Sequence, residues 1–154
     1  MSAAKPDRRA LSGAARIYAV QALFQMEAAD QSADRVAREF QDWRIGVDYE
    51  EGTTPEADAA LFAGILDGVV DRQARIDQMT DRALVSRWPI DRIDPTLRAV
   101  FRAAGAEFVA SDADAPVGCV ADGAPEVGGA PCEPAALVWD AAVRVSYRAE
   151  SLPM

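Results

Sequence analysis

The chain has 154 residues, of which 50% are hydrophobic and 27% charged, and it carries a formal net charge of −9 without a single histidine. This length accommodates one folding unit with a proper core and excludes two independent domains of ordinary size. The lack of histidine removes the commonest general base and all Ser-His or Cys-His nucleophile pairs, so the composition predicts a protein that is not an enzyme.

Targeting and cofactor signals are missing. No run approaches the roughly 18 to 20 apolar residues that span a bilayer, and charges stand where a signal peptide would be apolar, which predicts a cytosolic, membrane-independent protein. Cys119 and Cys132 lack zinc-site spacing, so we expect two free thiols and no metal. Phosphate-loop, dinucleotide and zinc-protease motifs are also missing, and we expect no cofactor.

The charge is distributed unevenly. Residues 1–20 contain four basic residues (Lys5, Arg8, Arg9 and Arg16) against Asp7 alone, a net +3, which leaves −12 for residues 21–154. Affinity for a nucleic-acid backbone comes largely from Lys and Arg. The sequence therefore places a basic arm on an acidic body.

Apolar residues at three- and four-residue spacing predict a first helix from about Arg8 to Ala29. Two stripes predict that several neighbours pack around it: Leu11, Ala15, Tyr18, Ala22 and Met26 form the first, and Ile17, Val20 and Phe24 the second. Tyr18 and Phe24 could stack on unpaired bases, although the helical spacing favours core packing for Tyr18.

Two further helices follow. Ser32 predicts the start of a helix to about Ile45 with Val36, Phe40 and Trp43 on one face, and a polar connection spans Val47 to Thr53. Thr54-Pro55-Glu56 predicts the start of the third helix. The predicted core stripe of that helix runs from Phe62 to Val70. Gly64 and Gly68 indicate the close approach of another helix, and we expect a bend near Asp77 to Thr80.

The last secure helix begins at Asp94-Pro95, with Asp94 as the N-cap, and its predicted core residues are Leu97, Val100, Phe101, Ala104 and Phe108. Arg98 and Arg102 lie off this stripe, and we interpret them as a solvated basic edge. From Pro116 to Pro134 eight of nineteen residues are Gly or Pro, which predicts a loop, with a short helix possible from Ala135 to Tyr147. No segment predicts a sheet, so the fold class is all-α.

Three segments together resemble the NusB family of bacterial transcription antitermination factors. They are AARIYAVQALFQ (Ala14 to Gln25), LFAGILDGVV (Leu61 to Val70) and IDRIDPTLRAVFRAAGAEF (Ile90 to Phe108). The resemblance implies two packed helical subdomains without catalytic residues. It also implies an RNA-binding factor that pairs with the ribosomal protein NusE on boxA RNA, within the transcription elongation complex, and supports transcription of ribosomal RNA operons.

The resemblance also indicates site residues. Arg16 is the last basic residue before the family's A-x-Q-A-L-[YF] stretch, and Phe24 is the aromatic residue that closes it, so both are expected to contact RNA. Arg8, Arg9 and Arg98 complete the predicted RNA contacts, and Asp91 is a predicted partner contact. Ser12, Gly13 and Ala14 stand where family members often carry arginines, and Leu97 stands where a carboxylate is common.

The predicted organisation is a basic tail over residues 1–7, a NusB-like helical domain over 8–115 and a divergent Gly/Pro-rich segment over 116–154. Two alternatives to the antitermination factor remain. One is a helical RNA- or protein-binding module related to the N-terminal domain of ribosomal RNA cytosine methyltransferases. The other is an interaction protein that no longer binds RNA.

Overall fold

The computed structural model describes residues 7–114, with side chains described for residues 7–110. Within this range the fold is all-α apart from one two-residue strand pair. The elements are α1 (Arg8–Ala29), α2 (Ala33–Trp43), β1 (Asp48–Tyr49), β2 (Gly52–Thr53), α3 (Ala59–Ala83), a 3-10 turn (Ile90–Arg92) and α4 (Pro95–Asp114). Lys5, both cysteines and the predicted helix after Ala135 lie outside the described residues.

Helix α1 has the predicted bounds and contacts α2, α3 and α4, as expected for a helix with several neighbours. Asp7 begins it by accepting a hydrogen bond from the Arg9 amide at 3.3 Å, and Asp30 ends it in the left-handed conformation with φ of 50°. The buried residues are Ala15, Tyr18, Ala19, Ala22 and Leu23. Of the second predicted core stripe, Val20 packs against the core as expected, whereas the prediction is wrong for Ile17 and Phe24, which are 62% and 40% exposed.

Helix α2 follows Ser32 as predicted, but its last turn differs. Trp43 was expected beside Phe40 in the core and is 66% exposed. The Arg44 guanidinium instead covers the Phe40 ring, with its carbon 4.7 Å from the ring centroid. The connection after α2 forms an antiparallel hairpin, pairing Asp48 with Thr53, where no strand was predicted.

Helix α3 begins later than predicted, at Ala59, because Asp58 is the residue that accepts from the Leu61 amide at 3.0 Å. Thr54 is used elsewhere: its hydroxyl accepts from the Val47 amide at 2.8 Å and thereby closes the hairpin. The predicted bend near Asp77 is also wrong, since α3 runs unbroken to Ala83. Val70, expected in the core, is 54% exposed.

Three aromatic side chains connect the first three helices. Tyr18 meets Phe40 edge-on at a centroid distance of 6.3 Å, and Phe40 stacks on Phe62 at 5.9 Å. The Tyr18 hydroxyl donates to the Pro55 carbonyl at 2.9 Å. The prediction that Tyr18 packs in the core is therefore confirmed.

Helix α4 packs against both α1 and α3. Asp94 accepts from the Thr96 amide at 2.8 Å, which confirms the predicted N-cap. Its core face is rotated from the prediction: Val100 is 40% exposed, and the buried side chains are Ala99, Phe101, Ala103, Ala106 and Val109. Small residues predominate on this face because the contact with α3 is close. A Cβ built on Gly68 would lie 3.3 Å from the Ala106 Cβ, as expected for a glycine at a helix contact.

Among the described glycines, Gly105 leaves the least room for a side chain, since an added Cβ would lie 2.5 Å from Ile76 Cγ2. Gly105→Ala should therefore lower the free energy of unfolding by about 1–3 kcal/mol, because the buried Ile76 has to shift. Gly64→Ala is the matched control, since Gly64 is exposed and an added Cβ meets nothing within 4 Å. The control should stabilise α3 by about 0.5–1 kcal/mol. Urea unfolding of both variants checks the contact, and equal effects would contradict it.

Candidate nucleic-acid interface on helix α1

The open side of α1 carries a line of basic and apolar side chains. Arg9 and Arg16 are seven residues apart and so lie on the same side of the helix, as do Ile17 and Phe24. All four are exposed. We call these four residues the α1 stripe; from Arg9 to Phe24 it extends about 22 Å at 1.5 Å per residue.

Arg16 is held in place by helix α4. Its Nε donates to Glu107 Oε1 and its second terminal nitrogen to Glu107 Oε2, both at 2.8 Å, in a bidentate pair. This hydrogen bonding raises the pKa of Arg16, against the opposing effect of burial. The Arg16 side chain nevertheless remains 51% exposed, so its outer edge faces solvent in a fixed position.

The other predicted RNA contacts differ in their environment. Arg8 is exposed at the first turn of α1, next to Arg9. Arg98 does not lie on a solvated edge, because only 11% of its side chain is exposed. It donates to both oxygens of Glu27 and to the Ile90 carbonyl at 2.7 Å. The structure therefore separates Arg98 from the α1 stripe.

Arg102 likewise joins helices instead of facing solvent. It donates to Asp77 of α3 at 2.9 and 2.8 Å and to Glu27 of α1 at 2.9 Å, with 15% of its side chain exposed. Two arginines and two carboxylates thus form a balanced network across three helices. Sequence reasoning missed Glu27 and Asp77 because each is distant in sequence from the arginine it pairs with.

A cleft of about 440 Å³ opens beside this network, between the end of α1 and the start of α4. Arg98, Arg102 and Asp91 line it. The Arg98 and Arg102 hydrogen bonds already go to carboxylates and carbonyls, so the cleft offers little free positive charge to an anion. Asp91, the predicted partner contact, is exposed at its rim in the 3-10 turn.

The network lowers the pKa of Glu27, mainly through the hydrogen bond from Arg98, while desolvation acts in the opposite direction. A carboxylate with a lowered pKa stabilises the fold above its ordinary value of 4.5 and loses this contribution as the pH falls.

We expect Glu27→Gln to lower the free energy of unfolding by about 1–2 kcal/mol at pH 7, because two largely buried arginines lose a shared carboxylate. The difference from the parent chain should shrink as the pH falls below the ordinary value of 4.5 toward the lowered pKa of Glu27. Urea unfolding at several pH values checks this. The control is Glu51→Gln on the exposed hairpin, and a pH-independent Glu27→Gln difference would contradict the proposed role of the ion pairs.

The described part of the chain shows neither a membrane-spanning helix nor a cluster of metal-ligand side chains. No helix there is long and apolar enough to cross a membrane. In the same residues no group of three or more metal-ligand side chains comes together. What the described residues do offer is a helix face with one guanidinium group held in place, that of Arg16, and an exposed aromatic ring, that of Phe24. Such a face suits phosphate contacts and base stacking.

Comparison with known proteins agrees with the resemblance. A family model described as the NusB family matches residues 13–127. The transcription antitermination protein NusB of Mesorhizobium japonicum is 41% identical over 108 residues, 70% of this chain and 69% of the relative. That of Maricaulis maris is 42% identical over 103 residues, which are 67% of this chain and 64% of the relative. That of Hyphomonas neptunium is 41% identical over 102 residues, 66% of each.

The chain thus matches about two thirds of the length of these relatives. No solved structure matches it. The matched family region includes all of the α1 stripe except Arg9, as well as the Glu27, Asp77, Arg98 and Arg102 network.

Proposed function

Because the chain belongs to the NusB family, whose matched relatives are transcription antitermination proteins and not enzymes, we propose that it is an RNA-binding antitermination factor. In this proposal it binds boxA-type RNA together with the ribosomal protein NusE. The complex joins the transcription elongation complex and supports transcription of ribosomal RNA operons. The family match favours this function over a module related to the methyltransferase domain.

The α1 stripe is the observation that supports an RNA contact most strongly. Guanidinium groups at Arg9 and Arg16 neutralise phosphates, and Phe24, at 40% exposure, offers one ring face to an unstacked base. Arg8, at the start of the same helix, extends the basic end. The Arg16 and Glu107 pair fixes the guanidinium before RNA arrives, which lowers the entropic cost of ordering that long side chain.

The same pair moderates the affinity. Glu107 places a negative charge 2.8 Å from the Arg16 nitrogens, so a phosphate has to share that guanidinium with a carboxylate. The chain also carries −9 overall, which repels RNA away from the stripe. Binding is therefore expected to be weak for the isolated chain and stronger with NusE. Near the cleft at the start of α4, Arg98 adds a weaker RNA contact, because its donors already bond to Glu27 and Ile90. Asp91, in the turn before α4, contacts the partner.

Arg9→Gln with Arg16→Gln should weaken binding of a boxA-type RNA about tenfold at roughly 0.1 M salt, because two phosphate contacts are lost. The slope of log K against log salt should fall by about 1.4, at about 0.7 per contact with a single strand. The measurement is fluorescence anisotropy of labelled RNA with the full chain, with and without NusE.

Arg35→Gln with Arg38→Gln is the matched control for the RNA measurement, because it removes the same charge from two exposed positions on α2. The control should lose less than about twofold. If both pairs weaken binding equally, the attraction is a property of net charge and the α1 stripe is not the site. Phe24→Leu tests stacking separately and should lose about fivefold where Phe24→Tyr loses little.

A further inference from the structure

A second surface lies at the end of α2 and on the hairpin. It contains two exposed aromatic residues, Trp43 at 66% and Tyr49 at 51%, and three acidic residues, Asp48, Glu50 and Glu51. We call these five residues the acidic aromatic surface. Large aromatic side chains at such exposure are uncommon on a solvated face and typical of binding surfaces.

The two aromatic residues are held together by the backbone. The Tyr49 hydroxyl donates to the Trp43 carbonyl, so the Tyr49 ring on the hairpin is fixed to the end of α2. The hairpin is closed by the Thr54 amide, which donates to the Val47 carbonyl at 2.9 Å. The Gly46 amide donates to the Pro55 carbonyl at 3.2 Å. The surface is therefore preorganised, which reduces the entropic cost of binding.

A cleft of about 570 Å³ opens between these aromatic residues and α1. Trp43 and Tyr49 line one part of it, and Tyr18 and Gln21 of α1 line another. The paired side chains of Glu39 and Arg44, together with Thr54, complete the lining. This volume accommodates one or two long side chains of a partner. Gln21 precedes Phe24 by one turn, so the cleft adjoins the α1 stripe on the side away from α4.

The charge of the segment that contains Trp43 and the hairpin favours a basic occupant. Residues 42–58 contain six carboxylates against the single Arg44, a net −5. That arginine is itself engaged, since it pairs with Glu39 at 3.3 Å and covers Phe40. A phosphate backbone is repelled by such a field, whereas lysine and arginine side chains are attracted and can place their charge over Trp43 or Tyr49.

We propose that the acidic aromatic surface binds a lysine- and arginine-rich protein segment, whose basic side chains enter the cleft between Trp43, Tyr49 and Gln21. The hairpin carboxylates accelerate association, and the two rings supply cation–π contacts that hold the segment. This surface is distinct from the α1 stripe and from Asp91. A basic protein and an RNA strand can therefore occupy adjacent sides of α1.

The test uses the full chain and a fluorescein-labelled nonaarginine peptide, with anisotropy measured at low and at physiological salt. Trp43→Ala with Tyr49→Ala should weaken peptide binding about fivefold through loss of cation–π contacts. Trp88→Ala is the matched aromatic control, since Trp88 is 47% exposed after the end of α3, and it should change binding less than twofold.

Charge is tested by a second pair of variants. Glu50→Gln with Glu51→Gln should weaken peptide binding about fivefold, while Asp67→Asn with Asp71→Asn, which makes the same change on the exposed side of α3, should change it less than twofold. Equal losses from both pairs would overturn the proposal, because the peptide would then be responding to net charge alone.

Location is tested with a chain in which Trp88→Phe and Trp139→Phe leave Trp43 as the only tryptophan. The nonaarginine peptide should shift or quench Trp43 emission, and a boxA-type RNA should not. A Trp43 response to the RNA in place of the peptide would overturn the proposal and assign this surface to nucleic acid. Loss of RNA binding with an intact Trp43 response to peptide would reject the proposed RNA function and leave this inference standing.

Discussion

The antiparallel contact between α1 and α4 is the interaction on which the rest of the structure depends. Charged pairs hold it at both ends: Arg16 with Glu107 at one, and Glu27 with Arg98 and Arg102 at the other. Asp77 extends the second group to α3, so one network holds three helices in register. Between the ends, the buried side chains include Ala15, Ala19 and Ala22 of α1 and Ala99, Ala103 and Ala106 of α4.

That arrangement also explains why α1 can act as a binding element. Helix α4 covers one side of α1, the segment around Pro55 bonds to Tyr18 on another, and the α1 stripe remains open between them. Positioning on a rigid helix, with Arg16 already oriented, is what a weak RNA contact needs in order to be specific. The acidic hairpin on the neighbouring side is repulsive to phosphate, so charge confines the proposed RNA path to the stripe.

Local signals predicted much of this fold and only part of the site. The bounds of α1 and the Asp94 cap follow from apolar spacing and capping chemistry, which act within a few residues. The exposure of Ile17 and Phe24 was not predictable in this way, because helical spacing identifies apolar stripes but not which stripe a neighbour covers. The hairpin was not predicted for a similar reason, since it depends on a hydrogen bond between Thr54 and Val47, which are seven residues apart. Arg98 and Arg102 were interpreted as a solvated edge because Glu27 and Asp77, which neutralise them, are distant in sequence. Helical spacing does not show such pairs.

Photo-crosslinking of a 4-thiouridine-containing boxA-type RNA to the full chain, followed by trypsin digestion and mass spectrometry, tests the central claim most directly. Ile17 and Phe24 of the α1 stripe fall in one tryptic peptide, Ile17 to Arg35, and the acidic aromatic surface falls in two others, Glu39 to Arg44 and Ile45 to Arg72. We predict adducts in the first peptide. Replacing Arg9 and Arg16 by glutamine removes two cleavage sites, so the corresponding peptide of the variant runs from residue 9 to Arg35, and its adducts should be reduced. Adducts concentrated in the other two peptides would contradict it.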